Sequence, residues 1–164
     1  MSRAGKYPVK LKDGVSAAIA NDTLTIKGPK GEIKIPLDTK HAGLVDVVID
    51  ADHVVVTPKD AEDKTSRAMW GTMTRNVRAA VEGVSDGFAK EMYMKGVGYK
   101  ASVNGNKLVL VAGYSHDVIM NIPDGLTVQM GDAPTEFIIR GIDKCLVGQF
   151  ADKVHKVRKA DPYK

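Results

Sequence analysis

The chain has a single cysteine, Cys145, so it can form no internal disulfide and no cysteine-rich zinc site; a lone thiol suits a reducing compartment. Its four histidines, His41, His53, His116 and His155, show no metal-ligand spacing. Aromatic residues make up only 5% of it. No apolar run approaches the roughly 20 residues a membrane helix requires. The first residues, MSRAGKYPVKLKDG, contain no apolar core of the signal-peptide kind. Together these gaps predict a cytoplasmic protein with no metal, no cofactor and no membrane partner.

A catalytic constellation is missing as well. Ser115, His116 and Asp117 are the residue types of a hydrolase triad, but as neighbours in a turn they cannot converge as nucleophile, base and orienter. The run Lys95-Gly96-Val97-Gly98-Tyr99-Lys100 begins like a dinucleotide fingerprint, yet Ala101 stands where the third glycine belongs, and a strand follows instead of a helix. The turn Gly28-Pro29-Lys30-Gly31 joins two strands, which makes it a hairpin before a phosphate loop. Cys145 reads as a small helix residue. The sequence predicts no enzyme.

What the chain does have is charge gathered in one place. Its net charge is +4 and its pI about 9.1, a mildly basic balance that favours nucleic acid weakly. Residues Arg140 to Lys164 hold seven Lys or Arg against three Asp, an excess equal to that of the whole chain. Here a β-branched run ends at Arg140, Gly141 breaks it, and Asp143 can cap a helix. Val147, Phe150, Ala151 and Val154 then fall at the i, i+3, i+4, i+7 spacing of one helix face. Lys144, Lys153, Lys156, Arg158 and Lys159 fill the rest of the predicted helix, and Pro162 ends regular structure. One face suits a sheet; the other suits a negative partner or simply water.

Upstream, residues 1–12 carry four cations and no acid, and Pro8 keeps them extended: a basic arm that orders on a partner, or a solvated tail. Alternating residues from Val15 to Leu37 predict a meander with turns at Asn21-Asp22 and Gly28 to Gly31. Leu44 to Ile49 and His53 to Thr57 form another strand pair. Thr65 to Val81 reads as a helix ended by Gly83, with Ala68, Met69, Met73, Val77, Ala80 and Val81 inward. GVSDGF, from Gly83 to Phe88, is the linker candidate.

The plan then repeats. Glu91 to Val103 holds a strand interrupted at Gly96-Val97-Gly98, and Asn104 to Asn106 is a hairpin turn. Strands follow at Lys107–Ala112, Val118–Ile122, Leu126–Met130 and Thr135–Arg140, and then the basic helix. Leu24-Thr25-Ile26 matches Leu108-Val109-Leu110, Ile33 to Pro36 matches Met120 to Pro123, and Met69-Trp70-Gly71 matches Leu146-Val147-Gly148, with Val77 answering Val154. A helix glycine costs about 1 kcal/mol against alanine, so its recurrence predicts a close helix–sheet crossing at both places. The expected class is α+β: two tandem copies of one small fold, residues 1–82 and 83–164, each an antiparallel-rich sheet with one long helix across it. Each half carries a net +2 (13 cations against 11 acids, then 11 against 9), so clustering alone distinguishes them.

Some of the second half suits RNA. Gly96 and Gly98 let a strand edge approach a phosphate backbone, Lys95 and Lys100 supply charge, and Tyr99 can stack or hydrogen-bond; the alternative is a β-bulge beside a core tyrosine. Tyr114, Ser115 and His116 offer a ring, a hydroxyl and an imidazole, or merely a turn. The motifs SRAGKYPV near the N-terminus, GPKGE at Gly28–Glu32, VGYKA at Val97–Ala101, GYSH at Gly113–His116, RGIDK at Arg140–Lys144, VGQ at Val147–Gln149 and DPYK at Asp161–Lys164 occur in this order. Across the whole chain they closely resemble the bacterial-type family of the sixth protein of the large ribosomal subunit.

That resemblance implies a structural role in the cytoplasmic ribosome. It implies a second domain bound to large-subunit (23S) ribosomal RNA near the sarcin–ricin loop, beside the landing site of the translational GTPases and among neighbouring ribosomal proteins. The RNA-facing residues it implies are Lys95, Gly96, Gly98, Tyr99, Lys100, Tyr114, Ser115, His116, Arg140, Lys144, Lys153, Lys156, Arg158, Lys159, Tyr163 and Lys164. Cys145 stands where the family often has glutamine. Family members usually continue past Pro-Tyr-Lys with a Gly-Lys-Gly basic tail, so further RNA contact is expected beyond a sequence ending at Lys164. The alternative is a freestanding RNA-binding or protein-interaction module.

Overall fold

The computed structural model describes residues 5–37, 42–50 and 52–159; residues 1–4 of the basic arm, Pro162, Tyr163 and Lys164 lie outside them. The chain divides into two units, residues 1–86 and 87–164. The first contains β1 (Val9–Lys10), β2 (Ser16–Ala20), β3 (Thr23–Gly28), β4 (Gly31–Pro36), β5 (Val45–Asp50), β6 (His53–Pro58) and α1 (Lys64–Ser85). The second contains β7 (Phe88–Tyr93), β8 (Lys100–Asn104), β9 (Lys107–Val111), β10 (Val118–Asn121), β11 (Leu126–Met130), β12 (Glu136–Gly141) and α2 (Lys144–Val157).

The architecture is α+β, and it is the same twice. In each unit the first strand pairs with the sixth and the sixth with the fifth, giving β1-β6-β5 and β7-β12-β11. The second, third and fourth strands form the other sheet, β2-β3-β4 and β8-β9-β10, and every pairing is antiparallel. The matched sequence segments occupy matched strands. Leu24 and Ile26 of β3, and Leu108 and Leu110 of β9, point inward and are essentially fully buried, as strand alternation requires. Each unit has its own apolar core: Leu24, Ile26, Val54, Val77 and Val84 in the first, Leu108, Leu110, Phe137, Ile139 and Phe150 in the second.

Turn chemistry sets the registers. Asn21 and Asp22 both have positive φ, the two-residue geometry that suits strand twist, and the hairpin pairs Ala20 with Thr23. Gly105, at φ +59, does the same between β8 and β9. At the helix starts, the Asp63 carboxylate accepts from the backbone N–H of Ser66, and Asp143 accepts from Cys145.

Several expectations are corrected. Gly83 is a buried residue inside α1; the helix ends at Ser85, Asp86 caps it, and Gly87 at φ +73 turns the chain away. Glu82, the expected end of the first half, therefore lies inside the helix. Ala68 is exposed and Thr74 takes a buried place on the inner face, its hydroxyl satisfied by the carbonyl of Trp70. Gly71 is buried, but Gly148 faces open space, so the expected close crossing at this glycine is absent from α2. Residues Val9 and Lys10 are not a free arm: β1 pairs with β6, and Val9 belongs to the core. Glu91 to Val103 is not one strand interrupted at Gly96-Val97-Gly98, because β7 and β8 belong to different sheets and the glycine segment is the crossover between them. Finally, α2 ends at Val157, so Arg158 and Lys159 follow the helix, with Arg158 already extended.

Candidate nucleic-acid interface

The crossover from β7 to β8 and the turn from β9 to β10 converge on the C-terminal end of α2. Tyr99 is the centre of the arrangement. A side chain on Gly96 would lie 2.8 Å from its ring, and one on Gly113 only 3.2 Å from its Cε1 and hydroxyl. The two glycines are thus required by the packing of one half-buried tyrosine, and Gly113 also adopts φ +72. Next to it, the Tyr114 hydroxyl donates to the backbone carbonyl of Val157 at 2.9 Å, satisfying one of the orphan acceptors at the end of α2. The Arg158 guanidinium lies 4.9 Å from the centre of the Tyr114 ring, and His116 stacks on that ring at 6.2 Å.

Between these elements is a cleft of about 530 Å³. Leu110, Ala112 and Phe137 form its apolar floor, while Lys95, Arg158 and Lys159 bring three cations to its wall, with no carboxylate among the described lining residues. The cleft follows from helix length. With Val77 answering Val154, Ala80 answers Val157, and α1 runs on from there to Ser85. In the first unit Val84 covers Gly28, which on the Leu24–Leu108 match corresponds to Ala112 of the cleft floor, so closely that a Cβ there would meet the Val84 carbonyl at 2.7 Å. In the second unit the helix has already stopped, and α2 packs mainly on β7 and β12, leaving the ground beside β9 open.

The expected site residues separate into three places. Lys95, Gly96, Gly98, Tyr99, Tyr114, Ser115, His116, Arg158 and Lys159 gather at or around the cleft, with Lys100 exposed at the start of β8. Lys153 and Lys156 lie on the exposed side of α2, where Lys156 is paired with Asp152 at 2.6 Å. Arg140 and Lys144 are elsewhere: Arg140 pairs with Ala89, and the Lys144 ammonium lies 5.4 Å from the Phe88 ring, whereas the cleft adjoins Tyr93 at the other end of β7. Five residue steps of strand are roughly 17 Å, so one contact cannot span both ends.

Sequence reasoning missed Tyr93 and His155, both lining the cleft. Tyr93 is 60% exposed, and the Lys95 ammonium is 5.8 Å from its ring centre. The signal was the Tyr-x-Lys spacing, which puts both side chains on one side of an extended segment. Among the described residues no group of three or more His, Cys, Asp or Glu side chains is arranged to hold a metal, and no helix is long and apolar enough to cross a membrane.

Comparison with known proteins agrees with the two-fold plan. The family model of ribosomal protein L6 matches residues 12–87 and again 95–164, one segment for each unit. Over all 164 residues the chain is 44% identical to the large ribosomal subunit protein uL6 of Erythrobacter litoralis and 43% identical to that of Paramagnetospirillum magneticum. It is 41% identical to the uL6 protein of Mesorhizobium japonicum, and in each case it covers 89% of the relative's length. Two matching segments, full coverage and this level of identity lead to one conclusion: the chain belongs to the ribosomal protein L6 family.

Proposed function

We propose that this protein is a structural constituent of the large subunit of the cytoplasmic ribosome, and that its second unit binds large-subunit ribosomal RNA around the cleft at the end of α2. The observation that carries the RNA contact is the composition of that cleft: three cations and two tyrosines, with no carboxylate among the described lining residues. Lysine and arginine neutralise phosphates and release counterions, and the chain's rings and glycine turns fit the shape of RNA. Charge distribution supports the same half. Divided after Asp86, the first unit has 13 cations against 12 acids and the second 11 against 8, so the excess is +1 and +3.

Lys153 and Arg140 with Lys144 supply further phosphate contacts outside the cleft. Neighbouring ribosomal proteins are the other partners, and the proposed RNA site lies near the sarcin–ricin loop and the landing site of the translational GTPases, a reading supported by the family resemblance. Crosslinking the protein to RNA in whole ribosomes and sequencing the bound fragment tests this reading. Large-subunit fragments linked to peptides containing Lys95, Arg158 or Lys159 are expected. A protein that leaves the large subunit in a high-salt wash and crosslinks to unrelated RNA would instead be a freestanding RNA-binding module.

A further inference from the structure

Among the described residues two tyrosines line the cleft, Tyr93 and Tyr99, and Tyr114 stands beside it; Tyr99 and Tyr114 are committed to the protein itself. Tyr99 is closed in by Gly96 and Gly113, so neither a base nor another ring can lie where those backbones are. Tyr114 gives its hydroxyl to Val157 and its ring to Arg158 and His116. Tyr93 alone is largely exposed, on β7, the edge strand of the β11-β12-β7 sheet. Tyr93 lines the cleft together with Phe137 and Leu110, which are at most 1% exposed, and with the three cations; the register sets Met92 beside Phe137 and Tyr93 beside Glu136, so the ring stands at the rim and not over the floor.

We infer that the cleft is a nucleotide subsite: it takes one unpaired base of the ribosomal RNA, stacked on Tyr93, with the flanking phosphates held by Lys95, Arg158 and Lys159. This deepens the RNA-binding reading and rests on it. The chemistry of the cleft matches that of a nucleotide part for part. A base presents flat apolar faces that suit the ring and floor, and its phosphates suit a rim of cations. The volume of about 530 Å³ lies within the roughly 300–1,000 Å³ of sites that enclose small molecules. Helix-shaped RNA would need neither a recess nor a free ring, since its bases are already stacked on one another. The recess exists only where α2 stops short, and the first unit, with its longer helix, has Val84 in the matching position.

The test uses the full chain and a transcript of large-subunit ribosomal RNA, with an unrelated transcript of equal length as competitor. Affinity is measured across a range of salt for the wild type, Tyr93→Phe, Tyr93→Ala, Arg158→Ala and Lys159→Ala. Tyr93→Ala is expected to weaken binding roughly 5- to 150-fold, the range for loss of one base-stacking ring, with the salt slope unchanged. Tyr93→Phe retains the ring and is expected to bind like the wild type. If Tyr93→Ala binds normally while Arg158→Ala and Lys159→Ala reduce the slope, the RNA contact stands and the base subsite is wrong. If Tyr93→Ala itself reduces the slope, the ring acts by placing Lys95, which also overturns stacking. Wild-type protein that does not prefer the ribosomal transcript removes both readings together.

Discussion

The Tyr114 hydroxyl closes the end of α2 while its ring holds Arg158, so one side chain links helix termination to the placement of a cation. Tyr114→Phe keeps the ring and loses the hydrogen bond, at an expected cost of about 0.5–1.5 kcal/mol in urea unfolding. Gly96→Ala would drive a methyl into the Tyr99 ring at 2.8 Å, and overpacking of this kind costs about 1–3 kcal/mol; unchanged stability would mean the loop yields freely. The cations should also differ among themselves. Arg158→Ala and Lys159→Ala are each expected to reduce the slope of log affinity against log salt by roughly 0.7–0.9. Lys156→Ala should change it less, because Asp152 is its partner and would repel an approaching phosphate. Equal slope changes for all three would show that the Lys156 pair opens on binding.

At the level of single elements, the two helices are stabilised at different points. The inner face of α2 is short, and Phe150, 3% exposed, is its largest contribution to the core. Phe150→Ala is expected to cost about 3–5 kcal/mol in thermal or urea melts, with RNA binding lost only as the unit unfolds. Around α1, two carboxylates add a pH-dependent contribution to the first unit. Hydrogen bonds from the backbone N–H groups of Ser66 and Thr65 hold Asp63 below the usual carboxylate range. The bond from the Lys12 ammonium does the same for Asp86, whose carbonyl also accepts from Lys30. A depressed folded-state value means that the stabilisation is present above the unfolded value and is lost as pH falls through the folded one. Asp63→Asn keeps a capping oxygen and removes the titration. Wild type should therefore melt above Asp63→Asn near neutrality, and the gap should close in acid; a gap independent of pH would refute the charged cap.

For the molecule as a whole, the two separate cores make each unit a candidate for independent folding, although domains of about 80 residues are only modestly stable alone. Residues 87–164 expressed alone are expected to bind large-subunit RNA with most of the affinity of the full chain, while residues 1–86 bind weakly. Filter binding of both pieces checks this, and equal affinities would move the RNA contact away from the cleft. The repeated strand order also limits where difference can arise. With the same sheets in both halves, the difference that opens the cleft is that α1 continues where α2 ends.

Local patterns in the chain were enough to determine the repeated α+β plan, the hairpin turns, the capping aspartate of α2 and its buried face. Each depends on neighbours in sequence: alternation, turn residues, or the 3.6-residue period. Motif order determined the family. The grouping of the site was decided by tertiary structure, because it depends on residues far apart in the chain meeting in space. Gly96 and Gly98 were read as approaches for a phosphate; the fold uses Gly96 to admit Tyr99, while Gly98 faces open space. Arg140 and Lys144 belong to the same basic stretch as Arg158 and Lys159, yet α2, 14 residues and so roughly 21 Å long, carries the latter pair away from them. The matched glycines Gly71 and Gly148 were alike in sequence and differ in surroundings, since burial depends on what the opposing sheet presents. The cleft itself comes from the end of α2 at Val157, fixed by the long-range bond from Tyr114, and no periodicity within the helix encodes a partner 43 residues upstream.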